Sequence, residues 1–149
     1  MCLETLKTIS LEYRRICPEA KPPFRKRDTD AGYDLSSVSD VKIPPRSFCM
    51  IPTGLQISPP PGYYYTIEGR SGMIRDGIIA RRGVIDATYT GDIFVILYNS
   101  TDQDYYVRCG DRVAQIIVQE IQHCDFIEVD EFSEEYDRRG KDGWGASGK

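Results

Sequence analysis

Five short segments of this chain concentrate side chains that can do chemistry. Gly69-Arg70-Ser71-Gly72-Met73 offers a cation, a hydroxyl and backbone amides left open by glycine. That set suits a phosphate chain, because guanidinium and amide donors match phosphate oxygens. Gly83-Val84-Ile85-Asp86-Ala87-Thr88-Tyr89-Thr90-Gly91 places a carboxylate after an apolar run and just before an aromatic. A carboxylate aimed from the end of a buried strand, and partly desolvated there, can hold and deprotonate a water. Asp30-Ala31-Gly32-Tyr33-Asp34-Leu35-Ser36-Ser37 puts Asp34 where it can cap a turn or a strand end. In Gly110-Asp111-Arg112-Val113-Ala114-Gln115, Gln115 interrupts an otherwise apolar strand and needs a partner if buried. The last segment, Arg138 to Lys149, sets Arg139, Trp144 and Ser147 among four glycines. Such a composition suits an arm closing over a ligand, and equally a frayed end. Taken singly, each segment has a plain reading as a turn, a cap or a surface strand.

Composition removes several alternatives. The single histidine, His123, excludes a multi-histidine metal site and leaves any base role to a carboxylate. His123 reads as a surface or strand-end residue. The five cysteines are odd in number and form no CxxC pair, so neither a disulfide framework nor a zinc site is expected. Reduced thiols in an intracellular compartment, cytoplasmic or nuclear, fit this pattern. A net charge of −4 argues against broad nucleic-acid binding. It leaves room for an anionic small substrate, which a few local arginines can hold. No apolar run reaches the roughly 18 residues of a membrane span. Glu4, Lys7 and Glu12 interrupt any signal-peptide core at the start.

The positioning elements are short. Pro and Gly punctuate the chain at Pro22-Pro23, Pro44-Pro45, Pro59-Pro60-Pro61-Gly62 and Gly91-Asp92. Between them, Val41 to Ile43, Phe48 to Ile51, Tyr63 to Ile67, Ile93 to Tyr98, Tyr105 to Arg108, Val113 to Val118 and Phe126 to Val129 read as strands. A brief helical turn is expected around Ser71 to Asp76. Spaced short strands of this kind predict an all-β sandwich or barrel. Ile93 to Tyr98 is apolar on both faces, so either both faces meet the domain's own core or one face meets another subunit. From about Asp125 the chain turns acidic, and a β domain over 1–137 followed by an arm over 138–149 is the expected organisation.

In order and spacing, the five segments together resemble the motifs of the trimeric dUTP pyrophosphatase (dUTPase) family, from about Lys21 to Lys149. The resemblance implies an all-β, jelly-roll-like barrel of the β-clip type, assembled as a homotrimer with a flexible glycine-rich C-terminal arm. It implies hydrolysis of dUTP to dUMP and pyrophosphate, with Mg2+ held mainly by the substrate phosphates and reached by Asp34 through water. Asp86 would orient the attacking water, and Arg139 would contact the γ-phosphate. Arg70, Ser71, Gly72 and Gln115 would serve the phosphates. Tyr89 would lie under the deoxyribose and leave no room for a 2′-hydroxyl. Backbone groups from about Gly83 to Ile96 would read uracil, and Trp144 would stack on it. Gly145, Ser147 and Gly148 complete the substrate contacts in the arm. Segments one, two and four would come from one chain, segment three from a second and the arm from a third.

The chain departs from the family pattern at Thr88, Thr90, Arg81 and Arg82, the two arginines standing where small residues are typical. Asp111 and Arg112 read as structural. Two other functions deserve weighing: a dCTP deaminase of shared fold, and a binding or regulatory module. The segment Ile85-Asp86-Ala87-Thr88-Tyr89 fits the hydrolase better than the deaminase, and retention of Asp86 and Arg139 disfavours a module without catalysis.

Overall fold

The computed structural model describes residues 7–133. The described elements are β1 (Glu12–Arg15), β2 (Tyr33–Ser36), β3 (Val41–Ile43), β4 (Phe48–Ser58), β5 (Tyr63–Glu68), α1 (Ser71–Arg75), β6 (Ile78–Ala80), β7 (Gly83–Ile85), β8 (Asp92–Asn99), β9 (Tyr105–Val107) and β10 (Arg112–Glu120). They form a four-stranded sheet in the order β1-β4-β8-β6, a second in the order β2-β10-β5-β7, and a ribbon of β3 with β9. The architecture is all-β, as expected, and its paired strands are antiparallel. The sheets wrap one core without closing into a continuously hydrogen-bonded barrel.

Alternation explains the core. Along β8, Ile93, Val95 and Leu97 are buried, while Phe94 and Ile96 point out and stay 40% and 37% exposed. The inward set meets Ile51, Leu55 and Ile57 of β4 and Leu35, Tyr65, Ile67, Val113 and Ile116 of the second sheet in one apolar cluster. Each such aliphatic side chain contributes about 1.5–3 kcal/mol on burial. The outward set continues onto neighbouring strands, because Met50 opposes Ile96 and both Phe48 and Ile79 oppose Tyr98. An apolar stripe therefore remains on the outer face of the first sheet. The buried Asn99 closes the end of β8, donating to the carbonyls of Ile43 at 3.0 Å and Gln103 at 2.7 Å.

The helical turn falls where it was expected. Only Met73 of α1 is buried, and Gly77, at φ 81°, ends the turn in a left-handed conformation. Phe126 to Val129 is a correction. No strand follows β10 among the described residues, and Phe126 and Ile127 are 99% and 79% exposed. Its apolar and β-branched residues suit a strand, but a strand needs an edge to pair with, and among the described residues it pairs with none. His123 lies exposed just past β10, as expected. The domain boundary drawn between 137 and 138 lies outside the described residues.

Candidate active site

The second sheet gathers three of the five segments. Gln115 on β10 stands opposite Asp34 on β2 and opposite Glu68 on β5. Residues directly opposite in a sheet project on the same face. Their neighbours Leu35, Ile67, Ala114 and Ile116 are buried, so Asp34, Gln115 and Glu68 form a row on the outer face. β5 runs directly from this row into Gly69-Arg70-Ser71, which brings the second segment alongside the first and fourth.

Hydrogen bonds lock the row. Arg70 donates through Nε to Asp34 Oδ1 at 3.0 Å, and Arg112 donates through Nη1 to Asp34 Oδ2 at 3.0 Å. Arg70 also donates from Nη1 to the Arg112 carbonyl at 3.1 Å. One half-buried carboxylate thus holds two guanidinium groups, one from each flanking segment. Charge-assisted bonds of this kind are the strong ones. Gln115 donates through Nε2 to the Gly69 carbonyl at 2.9 Å, so the polar interruption does have a partner. Its amide rests on Gly32, where an added Cβ would overlap the Gln115 Oε1. Beside the row, Ser71 and Gly72 are exposed, and a Cβ at Gly72 would meet nothing within 4 Å. Backbone amide and hydroxyl donors there stay open to a ligand.

The donor set also tests the expected metal. Among the described residues no group of three or more His, Cys, Asp or Glu side chains could hold an ion. Both oxygens of Asp34 already accept from arginines. The residues fit a cation that arrives on a ligand's own phosphates and meets Asp34 through water. They do not build a protein cage.

The third segment lies elsewhere in the chain. β7 pairs with β5 so that Gly83 opposes Ile67 and Ile85 opposes Tyr65. Gly83 is therefore near the row, but Asp86 runs away from it. Five residues of extended strand separate Tyr65 from Arg70, about 16 Å. Asp86 is exposed within this chain. β7 is a three-residue edge strand with one face uncovered within this chain. The Tyr89 amide donates to the Asp86 carbonyl at 3.0 Å, closing a turn, and the Tyr89 hydroxyl donates to the Asp92 carbonyl at 3.0 Å. That second bond holds the ring against Gly91, where an added Cβ would overlap it. The opening of β7 is tied to the row by Arg82, whose Nε lies 2.8 Å from Glu68 Oε1.

Of the predicted site residues, the structure brings together Asp34, Arg70, Ser71, Gly72 and Gln115, with Gly83 at the margin, and holds Asp86 and Tyr89 apart. Arg139, Trp144, Gly145, Ser147 and Gly148 lie outside the described residues. Sequence reasoning missed Gly32 and the direct role of Arg112, which shares Asp34 rather than merely holding a turn. Asp111 does hold one, accepting from the Arg108 amide at 2.8 Å. A three-residue spacing puts Arg112 and Gln115 on opposite faces of a regular strand, and the register shift between Arg112 and Ala114 returns Arg112 to the face of Asp34.

A family model described as dUTPase matches residues 19–148. The chain is 43% identical over 136 residues to the deoxyuridine 5'-triphosphate nucleotidohydrolase of Arabidopsis thaliana, covering 91% of this chain and 81% of that one. It is 39% identical over 140 residues to the protein of the same name from Paramecium bursaria Chlorella virus 1, covering 93% and 98%. Among solved structures, a mutant dUTPase of Staphylococcus bacteriophage 80alpha with dUpNHpp superposes with a TM-score of 0.86 at 27% identity, covering 95% of this chain and all (100%) of that one. A mutant dUTPase from phage phi11 of S. aureus, which coordinates a structural Mg(II) ion, gives 0.77 at 26% identity over 83% and 98% of the two chains.

Proposed function

The chain belongs to the dUTPase family, and from that membership we propose that it hydrolyses dUTP to dUMP and pyrophosphate. The observation that carries the reading is the joining of three segments by Asp34, Arg70, Arg112 and Gln115 on one sheet face. Fixed guanidinium and amide donors beside the open Ser71 and Gly72 suit a triphosphate. Catalysis then rests on positioning and electrostatics, without a covalent intermediate. Asp86 directs a water in line at the α-phosphorus and accepts its proton as pyrophosphate leaves. Tyr89, held by its bond to Asp92, packs under the deoxyribose and excludes a 2′-hydroxyl. Backbone groups of the hairpin between β7 and β8, from Gly83 onward, read the uracil edge. From the arm, Trp144 stacks on the base, Arg139, Ser147 and Gly148 take the γ-phosphate, and Gly145 lets the backbone approach. Asp34 is the residue that would meet a hard divalent cation such as Mg2+ arriving with the substrate, and that ion would supply charge neutralisation.

The site is shared in a homotrimer. Two observations support this reading. Asp86 points away from the phosphate row of its own chain, so another copy must supply the third segment. The apolar stripe of Phe48, Met50, Ile79, Phe94 and Ile96 offers a face for self-association. In the cell the reaction keeps uracil out of DNA and supplies dUMP for dTMP synthesis.

The test is incubation with Mg2+ and an equimolar panel of dUTP, dTTP, dCTP and UTP, with the products quantified. Pyrophosphate release confined to dUTP is the expected result. Deamination of dCTP, or no turnover by folded protein, would overturn the reading. Asp86→Asn is expected to keep nucleotide binding and lose nearly all turnover.

A further inference from the structure

One pair beside the phosphate row is not used by the mechanism above. Glu68 occupies the β5 position of the row, opposite Gln115. Its carboxylate is only 26% exposed and lies 2.8 Å from the Arg82 guanidinium. Gly83 opposes Ile67, so Arg82, the residue just before β7, flanks Glu68. The row thus runs across β2, β10 and β5 as Asp34, Gln115 and Glu68, with Arg82 at its end where the chain enters β7.

The charges along this row decide what it attracts. Asp34 is neutralised by two arginines and leaves one positive charge in excess. Glu68 is the row's other carboxylate. Adjacent strands lie about 4.8 Å apart, so Glu68 sits within a Debye length, about 8 Å, of anything bound to Gln115. An uncompensated carboxylate there repels a triphosphate. Arg82 cancels it.

We propose that Arg82 is an affinity-determining residue for this chain's anionic substrate, acting by charge compensation of Glu68 at the edge of the phosphate site. The inference rests on the dUTP reading above. Arg82 positions no reacting atom; it sets the field in which the triphosphate binds. The arrangement also accounts for an arginine at a position where the family typically has a small residue.

The experiment measures kcat and KM for dUTP in Arg82→Ala, Arg82→Lys, Glu68→Gln and the Glu68→Gln/Arg82→Ala double variant. Thermal midpoint and oligomer size are checked in parallel. Arg82→Ala is expected to raise KM about tenfold at low salt, with the effect shrinking as salt rises. Its kcat should stay within about twofold of the parent, as expected for an interaction felt equally by bound substrate and transition state. Arg82→Lys should keep the parental KM. The double variant should return KM to within about twofold of the parent, because the charge needing compensation is gone. A purely structural ion pair would show its loss and rescue in the thermal midpoint, with no salt-dependent change in KM. An unchanged KM in Arg82→Ala, or a double variant as impaired as Arg82→Ala, overturns the proposal. Should Arg82→Ala fail to fold, Glu68→Gln/Arg82→Ala remains decisive: parental KM supports compensation and a raised KM refutes it. Gln115→Ala serves as the control. If it abolishes tight dUTP binding while Arg82→Ala does not alter KM, this proposal fails alone; if the parent turns over no dUTP, the family reading fails first.

Discussion

Replacing Asp34 by Asn changes one heavy atom and tests how the phosphate face is held. The parent carboxylate accepts from Arg70 Nε and from Arg112 Nη1, both at 3.0 Å. Asparagine keeps one acceptor oxygen and presents an NH2 group to the other guanidinium. One charge-assisted bond is therefore lost outright, and the survivor keeps its charged donor but loses its charged acceptor. Hydrogen bonds to charged groups contribute about 1.5–3 kcal/mol when shielded, and exposed ion pairs about 0–1 kcal/mol. The Arg70 side chain is 27% exposed and that of Arg112 is 47%, so the amide should keep Arg70 and release Arg112. The expected destabilisation is about 1–2 kcal/mol. For a chain of this size that lowers the thermal midpoint by roughly 3–6 °C. The midpoint is read by calorimetry at fixed protein concentration, since any self-association makes it concentration-dependent. The same variant should lose at least about tenfold in kcat/KM for dUTP, because the freed guanidinium no longer shapes the phosphate site. A midpoint within about 1 °C of the parent, together with unchanged kcat/KM, would show that the Asp34 cluster holds nothing and refute the argument.

Gly32→Ala should push the Gln115 amide off the Gly69 carbonyl, since the new Cβ overlaps Gln115 Oε1; steady-state kinetics should show a raised KM for dUTP, and a parental KM would contradict the packing argument. Asn99→Ala strips the partners from the carbonyls of Ile43 and Gln103 and from the Thr101 amide. A loss of about 3 kcal/mol is expected from these buried groups, seen as a fall of roughly 6–12 °C in thermal midpoint. Tyr65→Phe should behave oppositely. The Tyr65 hydroxyl is fully buried without a hydrogen-bond partner among the described residues, and burial pushes its pKa up. Removing it should leave the thermal midpoint unchanged or higher, and a marked fall would reveal a partner bound at that hydroxyl.

Much of the fold was legible because side-chain period and turn chemistry are local. The continuous β-branched and aromatic run from Ile93 to Tyr98 marked β8, and the glycines flanking Arg70-Ser71 marked the turn at α1. β1 was not legible. Glu12–Arg15 is polar and exposed throughout, and is a strand only because Tyr13 and Arg14 pair with Ile57 and Gln56 of β4. β2, β6 and β7 are likewise three or four residues long, too short for a period to emerge. Phe126 to Val129 failed in the other direction: composition favours a strand there, but pairing needs a neighbouring edge.

For the site, the sequence by itself determined the chemistry on offer. The arginine, serine, glutamine and aspartates in their five segments specify a phosphate-handling family, because reactivity resides in residue type and motif order. Only the tertiary structure decided which groups act together. Asp34, Gln115 and Glu68 are far apart along the chain, and strand register alone sets them side by side. The same register carries Asp86 away from them, and it seats Arg82 against Glu68, a pairing that no local pattern contains.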